Sequence, residues 1–102
     1  MAKIYFTIAG TNHYHGSDFF KKGMKVELIK EPDNEYDSEA IMVRVKAVGK
    51  CGYVANSPHT VLGDCKSAGR IYDCVSKKSY GEVVYVVPSG VICELKQKKK
   101  KK

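Results

Sequence analysis

The 102-residue sequence predicts a single, mainly β domain, built as a small curved or closed sheet with one short α-helix inserted midway. Three observations lead to this fold class. Apolar and polar residues alternate in several short segments, as they do in half-buried strands. Turns that contain Gly or Pro separate these segments. One segment, beginning at Ser57, instead spaces its apolar residues at the period of a helix. A chain of this length has room for one hydrophobic core.

The first half of the chain is predicted to contain four strands, at residues 3–8, 24–28, 41–46 and 51–54. The third has the clearest pattern, because every second residue from Ile41 onwards is apolar and would face the core. A short turn at Gly49 and Lys50 is expected to join it to the fourth strand as a hairpin. Gly52, inside the fourth strand, indicates a bulge or a close approach of another backbone.

The next segment predicts the helix. Ser57 is a suitable N-cap, and Pro58 in the first turn loses no hydrogen bond. The apolar residues that would share one helical face are Val61, Leu62, Cys65 and Ala68. Gly69 suits the left-handed conformation that ends many helices.

Three more strands are predicted at residues 71–75, 82–87 and 91–95, with a turn at residues 88–90 between the last two. About six or seven strands with one short helix is the element count of OB-like barrels. We therefore expect a small OB-like barrel with one inserted helix.

The net charge of +7 is concentrated at the C-terminus. Six of the eighteen basic residues lie between Lys96 and Lys102, so the rest of the chain carries about +1. The charge of the folded body is therefore weak evidence for nucleic-acid binding. We assign residues 1–95 to the domain and residues 96–102 to a disordered Lys-rich tail, which would add phosphate contacts without sequence preference.

The sequence contains no recognisable targeting or membrane-spanning segment. Its first ten residues have no long apolar run and no small-residue cleavage pattern, and no stretch approaches the roughly 20 apolar residues of a membrane span. We expect a cytoplasmic protein. The cysteines, at positions 51, 65, 74 and 93, form no Cys-x-x-Cys pair. This disfavours a structural zinc site and favours reduced, buried thiols.

No residue pattern points to catalysis. No Ser or Cys is spaced with His and Asp as in a nucleophilic triad, and no glycine-rich phosphate loop precedes a helix. His13 and His15 would share one face of an extended segment, but no third metal ligand lies near them in sequence. We expect neither enzymatic activity nor a cofactor or metal.

The most distinctive stretch is residues 31–41, Glu-Pro-Asp-Asn-Glu-Tyr-Asp-Ser-Glu-Ala-Ile. Pro32 and Asn34 predict a tight turn between two strands. Five carboxylates surround one aromatic residue, Tyr36. A turn that only faces solvent has no physical need for a tyrosine at this position. Two interpretations remain open at this point: Tyr36 caps the core, or it presents its ring to a ligand.

Aromatic residues at loop and strand ends allow a further interpretation. Single-stranded nucleic acid is bound by aromatic faces on which bases stack, together with cations that contact phosphates. The aromatic candidates are His13, Tyr14, Tyr36 and Tyr53, and the cations near them in sequence are Lys21, Lys22 and Lys50. The alternative is a β protein whose tyrosines cover the rim of the barrel.

Several segments together resemble the HIRAN domain. The most specific is Glu-Pro-x-Asn-x-Tyr-Asp-x-x-Ala-Ile at residues 31–41. The others are Ile-Ala-Gly-Thr at 8–11, with Tyr14 and Gly16, then residues 23–28, and Gly-Tyr-Val at 52–54. The resemblance covers about residues 4–75. HIRAN domains look like OB-related barrels; they occur at the front of SWI/SNF-type helicases that remodel stalled replication forks, and as free-standing bacterial or phage proteins.

The resemblance implies an end-binding site. In the best-understood HIRAN domains, aromatic residues clamp the end nucleotides of single-stranded DNA, and an aspartate lies near the terminal 3′-hydroxyl. By position, Tyr36 would stack on a base and Asp37 would accept from the hydroxyl. An ionised carboxylate accepts from a free hydroxyl but repels an internal phosphate. Asn12 and His13 replace the Arg-Tyr of those members, and Tyr53 replaces a His.

We therefore predict a free-standing HIRAN module that captures single-stranded DNA, preferably at a 3′-hydroxyl end, without catalysis of its own. The predicted DNA-binding residues are Tyr36, Asp37, His13, Tyr14, Tyr53, Asn12 and Lys50. Replication or repair proteins are the further partners that the family implies, and we expect a monomer that does not bind membranes. One alternative is a protein-interaction module of the same fold that has lost DNA binding. A second is a metal-linked nuclease.

Overall fold

The computed structural model describes residues 3–96, which form a closed six-stranded antiparallel barrel. The strands are β1 (Tyr5–Ala9), β2 (Lys25–Lys30), β3 (Ile41–Val45), β4 (Gly49–Val54), β5 (Lys78–Val87) and β6 (Gly90–Lys96). Around the barrel they follow the order β1-β4-β3-β2-β5-β6 and return to β1. The α-helix is α1 (Ala68–Ile71), and three single-turn 3₁₀ helices span Thr11–His13, Ser17–Phe19 and Tyr72–Cys74. The mainly β, barrel-like fold class with one short helix is confirmed.

The barrel interior is filled by the apolar residues that alternate along the strands. The fully buried side chains of the strands include Phe6, Ile8, Val26, Leu28, Ile41, Val43, Cys51, Val83, Val91 and Cys93. Burial raises the pKa of the Cys93 thiol, so this cysteine remains protonated. The prediction of buried thiols is confirmed for Cys51 and Cys93 and is wrong for the other two, because Cys65 is half-buried and Cys74 is exposed.

The β1–β4 seam is the most weakly paired part of the barrel. β1 pairs with β4 only through Ile8↔Val54 and Ala9↔Tyr53. Gly52 lies at this seam, and a Cβ there would lie 2.7 Å from the carbonyl oxygen of Ala9. Both interpretations of Gly52 are confirmed, because a β-bulge also interrupts the pairing of β3 with β4 beside it.

The helix is much shorter than the sequence predicts. Residues 57–67 form turns and irregular backbone instead, and α1 begins after Ser67, whose hydroxyl accepts from the Arg70 amide at 3.3 Å. The Ser57 hydroxyl accepts from the nearby His59 amide at 3.1 Å and forms a local turn. Gly63 then takes a left-handed conformation, with φ of 53°.

Contacts with β1 explain why this segment is not helical. The Leu62 amide donates to Thr7 Oγ1 at 3.1 Å, and the Lys66 amide donates to the carbonyl of Tyr5 at 2.7 Å. These amides would otherwise bond within a helix, so the segment lies along β1 as irregular backbone. The strand predicted at residues 71–75 is also wrong, because this stretch ends α1 and continues as the Tyr72–Cys74 3₁₀ turn.

The last two strands are longer than predicted. β5 begins at Lys78, four residues before the predicted start, and bears Gly81, where a Cβ would lie 2.8 Å from the Phe6 ring. β6 extends to Lys96, which the sequence interpretation placed in the tail. The rest of the predicted tail, residues 97–102, lies outside the described residues. No helix within residues 3–96 is long and apolar enough to cross a membrane.

An ion-pair network joins three strands on the outside of the barrel. Glu27 on β2 accepts from Arg44 Nε on β3 at 2.8 Å, and its second oxygen lies 3.6 Å from Lys78 Nζ on β5. The hydrogen bond from Arg44 is the main cause that lowers the pKa of the Glu27 carboxyl. Glu27 therefore stabilises the β3–β2–β5 sheet in its ionised form.

Candidate nucleic-acid interface

A groove of about 540 Å³ lies between the 31–40 turn and the adjacent ends of β1 and β4. Its described lining residues are Ala9, Tyr14, Asn34, Tyr36, Asp37, Ala40, Tyr53, Val54, Ala55, Asn56, Ser57 and Thr60. Three of them are tyrosines, and the only charged residue in this set is Asp37. The groove thus combines aromatic faces with one negative charge, and none of its described lining residues is Lys, Arg or His.

Asn34 shapes the turn that carries Tyr36 and Asp37. Its Oδ1 accepts from the amide of Tyr36 at 2.8 Å and from the amide of Asp37 at 3.1 Å. The Glu31 amide donates to the carbonyl of Ala40 at 2.9 Å and closes the turn. This is the side-chain-to-backbone bonding that the Pro-Asp-Asn sequence predicts.

Tyr36 projects outward from this turn. Its residue is 92% exposed, and its ring borders the groove. The interpretation that Tyr36 caps the core is therefore wrong, because a core residue would be buried. The other interpretation from the sequence, that Tyr36 presents its ring to a ligand, is compatible with this exposed position.

Asp37 is held in one orientation by two hydrogen bonds. Its Oδ1 accepts from the Glu39 amide, and its Oδ2 accepts from Asn56 Nδ2, both at 2.9 Å. Each carboxylate oxygen has a second lone pair. Asp37 can therefore accept a further hydrogen bond from a ligand in the groove without losing these contacts.

Tyr53 is fixed by a chain of hydrogen bonds. Its hydroxyl donates to Glu31 Oε1 at 2.7 Å and accepts from Lys50 Nζ at 3.1 Å. Burial is the main cause that raises the pKa of Tyr53, and the hydrogen bond to Tyr53 is the main cause that raises the pKa of Lys50. At neutral pH the phenol is thus neutral and the ammonium is charged.

Lys50 contacts the tyrosines rather than the groove. Its Nζ lies 5.2 Å from the centroid of the Tyr53 ring and 5.8 Å from that of Tyr14, within cation–π range. It is not among the residues that line the groove. In this position Lys50 orients two aromatic rings.

The structure brings four of the seven predicted residues together in the groove: Tyr14, Tyr36, Asp37 and Tyr53. Asn12 and His13 line a smaller depression of about 190 Å³, which shares Ala9 and Thr60 with the groove. His15 packs on Phe19, with ring centroids 5.3 Å apart. Among residues 3–96, no three His, Cys, Asp or Glu side chains are arranged to hold a metal ion.

Asn56 is a site residue that sequence reasoning missed. It lines the groove, donates to Asp37, and accepts from the Gly69 amide at 2.7 Å. The sequence gives little signal for it, because Asp37 is 19 residues away. An Asn two residues after a strand and directly before an expected N-cap is otherwise typical of an ordinary loop.

Comparison with known proteins shows the family of this chain. The family model for the HIRAN domain matches residues 1–77, a stretch that contains all four groove residues named in the prediction. The chain belongs to the HIRAN domain family. HIRAN domains are known as DNA-binding modules, so the family is one of binding domains.

Two solved structures have the same fold as this HIRAN domain. The HIRAN domain of human HLTF is 16% identical, with a TM-score of 0.61; the match covers 92% of this chain and 74% of that one. A protein from Lactobacillus plantarum is 22% identical, with a TM-score of 0.56 and coverage of 94% and 98%. Both matches cover more of the chain than the family model, which ends at residue 77. No sequence among the curated proteins matches the chain significantly.

Proposed function

We propose that this HIRAN domain binds single-stranded DNA and prefers a free 3′-hydroxyl end. The proposal rests on one observation. The exposed ring of Tyr36 borders a groove, and Asp37 is the only charged residue among the described residues that line it. The proposed DNA-binding residues are those predicted from the sequence, with Asn56 added. The domain would act without catalysis of its own, as a cytoplasmic monomer that serves replication or repair.

The tyrosines supply surfaces for base stacking. Tyr14, Tyr36 and Tyr53 border one groove, and each stacked base contributes roughly 1 to 3 kcal/mol to binding. The volume of about 540 Å³ lies within the range typical of small-ligand sites. A groove of this size supports the binding of the last nucleoside of a strand, with further bases outside it.

Asp37 supplies the preference for the end. A free 3′-hydroxyl can donate to either carboxylate oxygen, whereas a phosphate at that position would bring a second negative charge next to the first. Two like charges about 4 Å apart repel by roughly 1 kcal/mol in water and about 4 kcal/mol near a protein surface. Asn56 and the Glu39 amide fix the carboxylate for this contact.

The proposal is tested by comparing an oligonucleotide that ends in a 3′-hydroxyl with the same strand ending in a 3′-phosphate. Fluorescence anisotropy with a 5′ label should give at least about tenfold tighter binding of the hydroxyl end, which corresponds to about 1.4 kcal/mol. Asp37→Asn should remove this preference. Asp33→Asn is the matched control, because it removes the same charge from an exposed position in the same turn. Equal affinity of the wild type for both ends would contradict the proposal.

A protein-interaction module of the same fold is the second candidate. The observation that favours it is the absence of Lys, Arg and His from the described lining of the groove, which is unusual for a site that binds a polyanion. A pull-down that recovers a replication or repair protein, with no binding of any single-stranded probe at low salt, would support this candidate over DNA binding.

A further inference from the structure

The proposed groove leaves the phosphates of a bound strand without a partner. Asp37, the only charged residue among the described residues that line the groove, is negative. Lys50 does not line the groove, and its ammonium donates to the Tyr53 hydroxyl. Single-stranded DNA is bound by stacking together with positive charges along the backbone. The cations that contact the backbone must therefore lie outside the groove, on the path by which the strand leaves it.

A basic depression adjoins the groove on one side. It has a volume of about 360 Å³ and is lined by Asn56, Pro58, Val61, Cys65, Lys66, Ser67 and Arg70. Lys66 and Arg70 are exposed, and none of the ion pairs within residues 3–96 includes either of them. Asp64 and Asp73, their acidic neighbours in sequence, do not line the depression. Both cations are thus available to an anion.

Asn56 joins this depression to the hydroxyl acceptor. It lines both cavities, and it bonds Asp37 through Nδ2 and the Gly69 amide through Oδ1. Arg70 directly follows Gly69. A terminal nucleotide carries its 3′-hydroxyl at one end and a phosphodiester at the other. With the hydroxyl on Asp37, a strand that crosses Asn56 would bring its phosphodiesters to Arg70 and Lys66.

The smaller depression, which shares Ala9 and Thr60 with the groove, is less suitable for phosphates. Its lining includes Asn12 and His13, and none of its described lining residues is Lys or Arg. It therefore offers hydrogen bonds from Asn12 and His13 but lacks the permanent positive charges that bind phosphates most strongly.

We infer that Lys66 and Arg70 form a phosphate-binding site for the backbone of the strand, and that the strand leaves the groove across Asn56. The ligands of this site are the phosphodiester groups on the 5′ side of the terminal nucleotide. The inference rests on the proposed function and adds to it the direction of the strand.

The test compares two double variants of the full chain. Lys66→Gln with Arg70→Gln removes two positive charges from the proposed path. Lys25→Gln with Lys46→Gln removes two from exposed positions that line neither the groove nor either depression. Affinity for a 3′-hydroxyl oligonucleotide is measured from 50 to 300 mM salt. Each phosphate contact of a single strand contributes about 0.7 to the slope of log affinity against log salt.

We expect the first variant to bind about tenfold more weakly at low salt and to lower the slope by about 1.4, because two contacts are lost. The second variant should change affinity less than twofold. Lys66→Arg with Arg70→Lys keeps both charges and should bind within about twofold of the wild type. Since the side chains of Lys66 and Arg70 make no ion pair within the described residues, all variants should unfold at similar temperatures.

The outcomes separate this inference from the proposed function. If the two charge-removing variants lose affinity equally, the path across Asn56 is overturned, while a retained preference for the 3′-hydroxyl keeps the end-binding proposal. A different result is that only the first variant loses affinity, while the wild type binds 3′-hydroxyl and 3′-phosphate ends equally. That result supports the phosphate site and contradicts the role of Asp37 in end binding. Absence of any strand binding by the wild type overturns both.

Discussion

Replacing Tyr36 by Ala should weaken DNA binding without affecting the stability of the fold. The residue is 92% exposed, and the hydrogen bond from its amide to Asn34 Oδ1 does not involve the ring. The ring therefore contributes almost no buried surface, and the free energy of unfolding should change by less than about 0.5 kcal/mol. Loss of one stacked base costs roughly 1 to 3 kcal/mol of binding, which corresponds to an affinity about 5 to 150 times lower.

Fluorescence anisotropy with a short single strand and urea unfolding monitored by circular dichroism measure the two quantities. Tyr36→Phe is the matched control, because it keeps the ring and removes only the hydroxyl; its affinity should remain within about twofold of the wild type. Two results would refute the reasoning. Wild-type affinity of Tyr36→Ala would remove the stacking role, and a loss of more than about 1 kcal/mol of stability would mean that the ring packs on the domain.

Three further predictions concern the parts that support the site. Gly52→Ala should destabilise the barrel by about 1 to 3 kcal/mol, because the added Cβ would lie 2.7 Å from the Ala9 carbonyl oxygen. The melting temperature should fall by about 4 to 8 °C per kcal/mol, and an unchanged melting temperature would contradict the prediction. Asn34→Ala removes the acceptor of two backbone amides and should cost about 1 to 2 kcal/mol of stability as well as DNA affinity, whereas wild-type binding would show that the turn does not need this residue. The pKa of Glu27 is lowered in the folded state, so the stability that its ion pairs contribute is present above the ordinary pKa of 4.5 and is lost as pH falls through the folded pKa. Glu27→Gln should therefore make the urea midpoint less dependent on pH between 7 and 3.5. Identical pH profiles of variant and wild type would exclude this contribution.

The strands and the 31–41 turn could be predicted because their causes are local. Apolar alternation from Ile41 onwards determines which side chains face the core, and β3 begins at the predicted residue and ends one residue earlier than predicted. The Pro32–Asn34 sequence closes the turn through bonds to residues two or three positions away. The exposure of Tyr36 could not be decided in the same way, because it depends on what the turn packs against.

The errors have long-range causes. The segment from Ser57 to Gly69 has the apolar spacing of a helix, but the amides of Leu62 and Lys66 bond to β1. Thr7, the acceptor for Leu62, is 55 residues away in sequence. No local pattern reports such a contact. The contact of Asn56 with Asp37 is hidden for the same reason. The sequence predicts Lys50 as a cation close to the aromatic residues. Its hydrogen bond to Tyr53 and its position beside the rings of Tyr53 and Tyr14 depend on the folded barrel and could not be predicted.

The central claim is that the groove beside Tyr36 and Asp37 holds the free end of a nucleotide strand. An amide chemical-shift titration of the full chain with a short single strand ending in a 3′-hydroxyl tests it most directly. The account predicts that the largest shift changes occur at Tyr36, Asp37, Tyr14 and Tyr53, and that they saturate with added strand. Shift changes confined to the C-terminal lysines would contradict it, because they would reduce the interaction to simple charge attraction.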